Sequence, residues 1–316
     1  MKQGFFFLIL LFFSNLLAKK LKTEQILLEG PIINPKEEIS GMDWYKEHLF
    51  LLPENQNNYL YVIPKKEIYK SLNPPSKIKI LPRKNNFIAP DYKKSIEGFE
   101  GFESIAFHND KFFITIEAKT GNLMKSYIIW GKIDPKSFTM KSKKEDILEI
   151  KTPVQIKNMT YESALIYKDV ALFLYEANGK NLQKDVFQQT LSLKDFSISD
   201  LKFPNIEYRI TDATKVDENN KFWAINYYWP GDKKYLNPAK DYLNTLPKSS
   251  NKVERIVEFE IKNSEIIFSG SKPIEFILDD KNSRNWEGLV SLDDRGFLVA
   301  TDKYPEMLLA FVEYKY

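Results

Sequence analysis

The sequence predicts an all-β fold built from repeated strand pairs, and three observations support this prediction. Of the 316 residues, 43% are hydrophobic and 14% are aromatic, which is typical of a globular chain rich in strand-forming side chains. No long stretch shows the 3.6-residue apolar period of an amphipathic helix. A short pattern with a polar, usually acidic, residue at each end recurs five times, which indicates a repeat architecture.

The five copies of this pattern share one phase. Each copy reads as two short strands joined by a turn, and its opening polar residue is followed by Gly, Ser or Ala. The offset from the opening to the closing residue is 14 in the first four copies and 15 in the last. The opening residues are Ser40, Glu103, Glu162, Asp212 and Glu287, and the closing residues are Glu54, Glu117, Glu176, Asn226 and Asp302.

Further predicted strands complete each copy. Copies one to four are each followed by two more strands, which in the first copy cover residues 60–64 and 77–81, before a polar loop over residues 82–100. The fifth copy has only one more, over residues 307–314, and a lone strand at residues 23–33 supplies the missing one. This count predicts a five-bladed β-propeller with four-stranded antiparallel blades, the last blade closed by the N-terminal strand. The rival all-β fold, a β-sandwich, does not predict five in-phase copies.

The N-terminal 18 residues are interpreted as a signal peptide. Lys2 precedes an apolar run over residues 4–17, and Ala18 suits a cleavage site. The run is shorter than the ~20 residues of a spanning helix, so we expect no membrane span once the leader is removed. An uncleaved anchor is the alternative. Residues 19–316 are then expected to be a single propeller domain that is exported to a periplasm or secreted. The chain has no Cys, so its stability cannot come from disulfides.

The acidic positions predict a metal site. In a propeller blade the first strand starts, and the second ends, at the same mouth of the channel, so the five opening residues (the first ring) and the five closing residues (the second ring) converge. Converging carboxylates must splay apart, hold protons or share a cation. The first ring is therefore predicted to bind a metal. An all-oxygen shell suits Ca²⁺ better than Mg²⁺, and a chain with no Cys and two His disfavours zinc. The alternative is that these carboxylates only accept hydrogen bonds from backbone amides.

Other residues on the same side are candidates for ligand binding. Tyr228 and Trp229 open the longest predicted loop and are interpreted as a stacking platform, or as side chains packed under that loop. Lys119, Lys180 and Lys303 follow second-ring residues and are interpreted as contacts for phosphate oxygens, or as solvated loop lysines. Of the five arginines, Arg83 and Arg284 are expected in loops at the acidic mouth. The net charge of +3 argues against a dedicated nucleic-acid binder.

These motifs resemble three families. The opening pairs S-G, E-S, E-S, D-A and E-G resemble those of SdiA-regulated (YjiK-like) propellers. The order of the first ring is also similar to the calcium shell of the soluble calcium-activated nucleotidases (apyrases), which is Ser, Glu, Glu, Ser, Glu. Trp286-Glu-Gly-Leu289 is similar to phytase-like (esterase-like) propeller domains. The resemblance lies in the spacing of the repeated motifs over residues 39–314, and it implies a five-bladed propeller that binds calcium. Asp212 departs from the apyrase pattern, and the nucleotide-handling segments of apyrases have no counterpart here.

Two functional hypotheses follow. In the first, the chain binds a small-molecule or protein ligand at the acidic mouth, and the ion is at least partly structural. In the second, it is a calcium-dependent hydrolase of phosphate esters or anhydrides, in which Glu117 or Glu176 activates water. The thin supply of arginine for a phosphoryl group favours binding, while whether the chain is an enzyme, and its oligomeric state, stay open.

Overall fold

The computed structural model describes residues 19–73, 78–243, 251–279 and 282–315, so the predicted signal peptide lies outside the described residues. Strands dominate these ranges, which confirms the all-β prediction. Within them the helical elements are short, and none is long and apolar enough to cross a membrane. They are α1 (Lys65–Ser71), α2 (Tyr92–Ser95), α3 (Lys233–Leu236) and two 3₁₀ turns, Pro31–Ile33 and Pro230–Asp232.

The strands form five consecutive antiparallel meanders after two short N-terminal strands. The N-terminal strands are β1 (Lys19–Leu21) and β2 (Glu24–Ile26). The first meander is β3 (Ile39–Tyr45), β4 (His48–Pro53), β5 (Tyr59–Pro64) and β6 (Arg83–Ile88). The second is β7 (Phe99–His108), β8 (Lys111–Thr120), β9 (Leu123–Ile133), a short β10 (Met140–Lys141) and β11 (Ile147–Ile150).

The remaining three meanders repeat this order. The third is β12 (Tyr161–Tyr167), β13 (Val170–Tyr175), β14 (Val186–Ser192) and β15 (Ile198–Phe203). The fourth is β16 (Arg209–Ala213), β17 (Lys221–Tyr228), β18 (Val253–Lys262), β19 (Glu265–Phe268) and β20 (Ile274–Phe276). The fifth is β21 (Trp286–Ser291), β22 (Gly296–Thr301) and β23 (Leu309–Glu313).

Short parallel pairings join the meanders into curled sheets. Strand β10 pairs with β6 and merges the first two meanders into a nine-stranded sheet. Strand β15 pairs with β19 and merges the third and fourth into a ten-stranded sheet. The fifth meander belongs to a separate four-stranded sheet.

The two ends of the chain meet in that four-stranded sheet. Strand β2 pairs antiparallel with β23, in a register that sets Glu24 opposite Phe311 and Ile26 opposite Leu309. The predicted strand at residues 23–33 is therefore correct in its partner but too long, because Pro31–Ile33 forms a 3₁₀ turn. Strand β1 instead pairs parallel with β20 in the fourth meander.

The predicted fourth strand of the first meander was wrong. Residues 77–81 were expected to form it; residue 77 lies outside the described residues, and within 78–81 Ile80 makes an isolated parallel bridge to Leu28. The strand is Arg83–Ile88, within the stretch interpreted as a loop. Phe87 is the one buried side chain of this strand. Strand β6 is the outermost strand of its own meander. Charged and amide side chains are common in such outer strands, so the sequence shows no apolar alternation here.

Apolar side chains fill the spaces between neighbouring meanders. The first strands contact one another in cyclic order, β3 with β7, β7 with β12, β12 with β16, β16 with β21, and β21 with β3. One apolar cluster joins the fifth meander to the first through Leu298 and Leu51. Four similar clusters follow in sequence around the cycle of described strands. Each fully buried side chain of this kind contributes about 1.5–3 kcal/mol.

We predict that the pairing of β2 with β23 stabilises the whole fold. Ile26 is 2% exposed, so Ile26→Ala is expected to lower the free energy of unfolding by about 2–5 kcal/mol. The neighbouring Gln25 is exposed on the same strand, and Gln25→Ala is the matched control, with an expected change within about 0.5 kcal/mol. Urea denaturation measures both. Equal stability of the two variants would contradict closure by β2.

Candidate functional site

A cavity of about 770 Å³ opens where the first strands of the meanders begin. Its walls combine acidic, amide and aromatic side chains with two basic ones. The lining residues are Glu54, Glu100, Glu103, Glu117, Asn158, Glu162, Arg209, Tyr227, Trp229, Asp232, Asn282, Ser283, Asn285, Glu287, Asp302, Lys303, Tyr304 and Pro305. Eight carboxyl groups thus face one arginine and one lysine.

Three predicted metal ligands reach this cavity from β-bulges. Glu103, Glu162 and Glu287 each occupy the position where the register of the first strand shifts against its partner. A bulge re-aims the side chain of the unpaired residue, and the three carboxyl groups therefore point to the same space. The side chain of Glu54 packs against Gly101, next to Glu103. A Cβ built on Gly101 would lie 2.4 Å from Glu54 Cγ and 3.0 Å from Glu103 Oε1. Only glycine leaves room for both side chains.

The other two predicted ligands do not reach the cavity. Ser40 donates its hydroxyl to the carbonyl of Phe102. Asp212 accepts hydrogen bonds from the backbone amides of Leu289, at 2.7 Å, and Ala213, at 2.8 Å. The alternative of carboxylates bonded to backbone amides thus holds for Asp212.

The repeat phase in the fourth copy was misassigned by one residue. The bulge in β16 spans both Thr211 and Asp212. Thr211 donates its hydroxyl to the carbonyl of Trp286, directly before Glu287. Ser40 makes the same contact directly before Glu103, so Thr211 is the structural counterpart of Ser40. The sequence analysis named Asp212 alone for this position and missed Thr211.

The second ring divides in the same way. Glu54, Glu117 and Asp302 line the cavity, whereas Glu176 and Asn226 do not. Asn226 is fully buried, donates to the carbonyl of Glu207 at 2.9 Å, and accepts from Arg255 Nε at 2.8 Å. The Asn226 side chain is therefore engaged in holding loops together.

Arg209 is the buried cation beside these acids. Its Nε donates to Glu176 Oε1, and its terminal nitrogen lies 3.9 Å from Asp232 Oδ2. Glu176 is 0% exposed and directed at Arg209, so it is separated from the cavity space although its strand ends there. Arg209 partly compensates the excess of carboxyl groups.

The predicted ligand-binding residues are also split. Trp229 is 50% exposed and lines the cavity, and so does Lys303, which donates to Glu38. Tyr228 is 9% exposed and stacks on Tyr208 at 4.5 Å between ring centroids, so it packs under its own loop. Lys119 and Lys180 do not contribute to the cavity wall.

Several lining residues were missed by the sequence analysis. Arg209, Asp232, Tyr227 and Tyr304 each lie within a few residues of a ring position or of Trp229, but none belongs to the repeat. The expectation of a loop position at the acidic mouth was wrong for Arg83, whereas Arg284 does lie in a loop between the cavity-lining Ser283 and Asn285, although its side chain is bound elsewhere. Arg83 begins strand β6, and Arg284 is held by Glu254, Thr23 Oγ1 and the carbonyl of Ile277. The further missed residues are Glu100, Asn158, Asn282, Ser283, Asn285 and Pro305.

Burial and mutual repulsion raise the pKa values of the carboxyl groups. Burial is the largest cause in each case, and it raises the pKa of Glu54 to about 9 and that of Glu117 to about 8. Burial together with neighbouring carboxyl groups holds the pKa values of Glu103, Glu162 and Glu287 well above their usual range. These carboxyl groups therefore hold their protons to higher pH than ordinary carboxyl groups do, unless a cation enters.

The donor chemistry fits a cation bound by oxygen, although the side chains are not gathered around a point. Among the described residues, no group of three or more His, Cys, Asp or Glu side chains is arranged to hold a metal ion. Buried Glu117 Oε2 and Glu176 Oε2 find no hydrogen-bond partner in the described part of the chain. Unpartnered buried carboxyl oxygens are costly, and a cation beside the cavity-lining Glu117 would relieve that cost.

Comparison with known proteins finds propeller-like structural neighbours but no family. No family model matches the chain, and no curated protein is significantly similar to it in sequence. The SdiA-regulated, apyrase and phytase-like resemblances therefore remain predictions. Among solved structures, the catalytic domain of the GH62 α-L-arabinofuranosidase of Coprinopsis cinerea aligns with a TM-score of 0.50 at 6% identity, covering 94% of this chain and 97% of that one.

Two further solved structures align at lower scores. A thermostable family-43 glycoside hydrolase gives a TM-score of 0.48 at 13% identity, covering 92% of this chain and 93% of that chain. The α-L-arabinanase of Cellvibrio cellulosa in complex with arabinohexaose gives 0.45 at 9% identity, covering 87% and 95%. These neighbours are β-propeller glycoside hydrolases. At such identities the likeness concerns the fold alone.

We predict that the cation-free protein loses stability as pH rises. A carboxyl group whose pKa is raised on folding binds more protons in the folded than in the unfolded state, so ionisation lowers the free energy of unfolding. For Glu54 this window runs from the ordinary value of 4.5 to about 9. Glu54→Gln is therefore expected to flatten the decline measured by urea denaturation with chelator. Glu313→Gln, on an exposed position, is the control, and identical pH profiles for all three proteins would contradict the raised pKa.

Proposed function

We propose that the chain is an exported five-bladed β-propeller that binds a divalent cation, Ca²⁺, in its acidic cavity. A small-molecule or protein ligand then binds at the mouth of that cavity. The observation that carries the proposal is the meeting of Glu103, Glu162 and Glu287 in one buried space with an excess of acidic over basic side chains.

The strand order supports the propeller. Five meanders follow one another, their first strands contact in cyclic order, and the N-terminal strand completes the last sheet. In this interpretation each meander is one blade, and the parallel pairings between sheets are contacts between neighbouring blades.

The composition of the site supports calcium. Ca²⁺ accepts 6–8 oxygen ligands in flexible geometry, whereas Mg²⁺ requires a tight octahedron. A cavity whose carboxyl groups must move to reach one ion suits the more tolerant cation. Glu103, Glu162 and Glu287 would hold the ion, with Glu117 and Glu54 beside them. Such an ion would tie together blades two, three and five, and its role would be at least partly structural.

Calcium is expected to raise the melting temperature. A ligand that binds only the folded state stabilises it by about 2.7 kcal/mol at 100 times its Kd. Glu103→Gln and Glu287→Gln remove ligands and are expected to abolish most of the rise, whereas Glu313→Gln keeps it. Thermal unfolding with calcium and with chelator measures the effect.

Binding should also release protons, because the cation favours the ionised carboxyl groups. The calcium affinity, measured by calorimetry, should therefore increase from about pH 6 to about pH 8. If calcium and chelator give the same melting curve for the wild type and metal analysis finds no ion, the proposal fails.

A calcium-dependent hydrolase is the second candidate, and the state of Glu117 favours it. Burial raises the pKa of Glu117 to about 8, and a cation beside this cavity-lining group would favour its ionised form, which can accept a proton from an attacking water. Glu176 is the weaker candidate because it is directed at Arg209. Like charges ~4 Å apart repel by ~4 kcal/mol at an effective dielectric of ~20, so a phosphate ester would need the cation bound first. A neutral glycoside, the substrate class of the structural neighbours, meets no such barrier.

A substrate panel tests this candidate. Wild-type protein with and without calcium is assayed against phosphate esters and neutral aryl glycosides. If the chain is a hydrolase, Glu117→Gln should lower turnover by about 10²–10⁴-fold while the calcium-induced rise in melting temperature persists. No turnover of any substrate by the wild type would eliminate the hydrolase and leave the binding function.

A further inference from the structure

The mouth of the acidic cavity carries an aromatic platform with an acidic neighbour. Trp229 follows strand β17 in an extended conformation, and Asp232 N donates to its carbonyl at 2.9 Å, closing the turn Pro230–Asp232. The indole rests on the backbone of Gly231, where a Cβ would lie 1.7 Å from Trp229 Cζ3. Any residue other than glycine there would displace the ring. The ring is nevertheless half exposed and lines the cavity.

Asp232 supplies an unused acceptor beside this ring. It is 9% exposed, lines the cavity, and its Oδ2 has no hydrogen-bond partner among the described residues. Arg209, the nearest cation, lies 3.9 Å away and donates instead to Glu176. Asp232 thus brings to the cavity wall a carboxyl group whose hydrogen-bonding capacity is not fully used, which suits an N–H donor that arrives with a ligand.

The charge of the cavity restricts what that ligand can be. Eight carboxyl groups line it against Arg209 and Lys303. One divalent cation would leave an excess of acidic groups, so an anionic ligand is disfavoured. Tyr304 is 59% exposed on the same wall, which adds a second aromatic surface. Aromatic faces attract organic cations, and Trp attracts them most strongly.

We propose that the mouth binds an organic ammonium compound, with the cationic nitrogen over Trp229 and an N–H donated to Asp232. The cavity of about 770 Å³ has the size of a small-molecule site, so a small amine is favoured over a protein side chain. The inference rests on the proposed function in one respect, that the mouth belongs to the same acidic cavity. It names the ligand class that the proposed function leaves open.

Calorimetric titration with spermidine in the presence of calcium tests the inference. The wild type is expected to bind, and Trp229→Ala to weaken binding about tenfold, with a smaller loss in Trp229→Phe. Asp232→Asn should weaken binding to a similar degree. Tyr242 is 78% exposed and lies outside the cavity wall, so Tyr242→Ala is the matched aromatic control and should bind like the wild type.

The calcium-induced rise in melting temperature, measured on every variant, separates this inference from the proposed function. If the wild type responds to calcium but binds neither spermidine nor tetramethylammonium, the ammonium inference is overturned and the cation site stands. Binding of a neutral sugar or of a Lys-rich peptide in preference to spermidine also overturns it. Should Trp229→Ala not fold, Trp229→Phe and Asp232→Asn carry the comparison.

Discussion

The cyclic contact of five first strands is the constraint on which the other features depend. Each strand must approach two neighbours near a common axis, and each carries a register shift close to its start. The bulged residue either donates a hydroxyl to the next strand, as Ser40 and Thr211 do, or turns a carboxyl group into the cavity. Closing the ring therefore brings acidic groups together, and this crowding, with burial, raises the pKa values of Glu103, Glu162 and Glu287.

Much of the fold was predictable because strand pairs with one phase repeat along the chain, and a constant offset survives in the sequence. Features without periodicity were not. The stretch Arg83–Ile88 was interpreted as a loop because the outermost strand of a meander needs few apolar residues. Asp212 was predicted and Thr211 missed, because spacing alone cannot say which residue of a two-residue bulge takes the repeat position. The contact of Arg209 with Glu176 depends on how β16 is placed in three dimensions, and no local sequence pattern predicts that placement.

Functional sites on this fold must be argued from their own chemistry. Likeness of fold does not transfer activity, so the residues that line the cavity decide what this chain can do. Here the lining consists of buried acids with raised pKa values, one internal guanidinium and an aromatic lip. That combination supports a cation as the deep ligand, and it makes the protonation of Glu54 and Glu117 part of any binding event.

The pairing of β2 with β23 also has a consequence for biosynthesis. The partner of Glu24 is Phe311, so the last sheet acquires its fourth strand only after synthesis has passed residue 311. Until then, strand β2 has no partner and is open to pairing with other chains. Contacts between such distant segments slow folding. A product that terminates before β23 would therefore leave its N-terminal strand β2 without a partner and accessible to proteases.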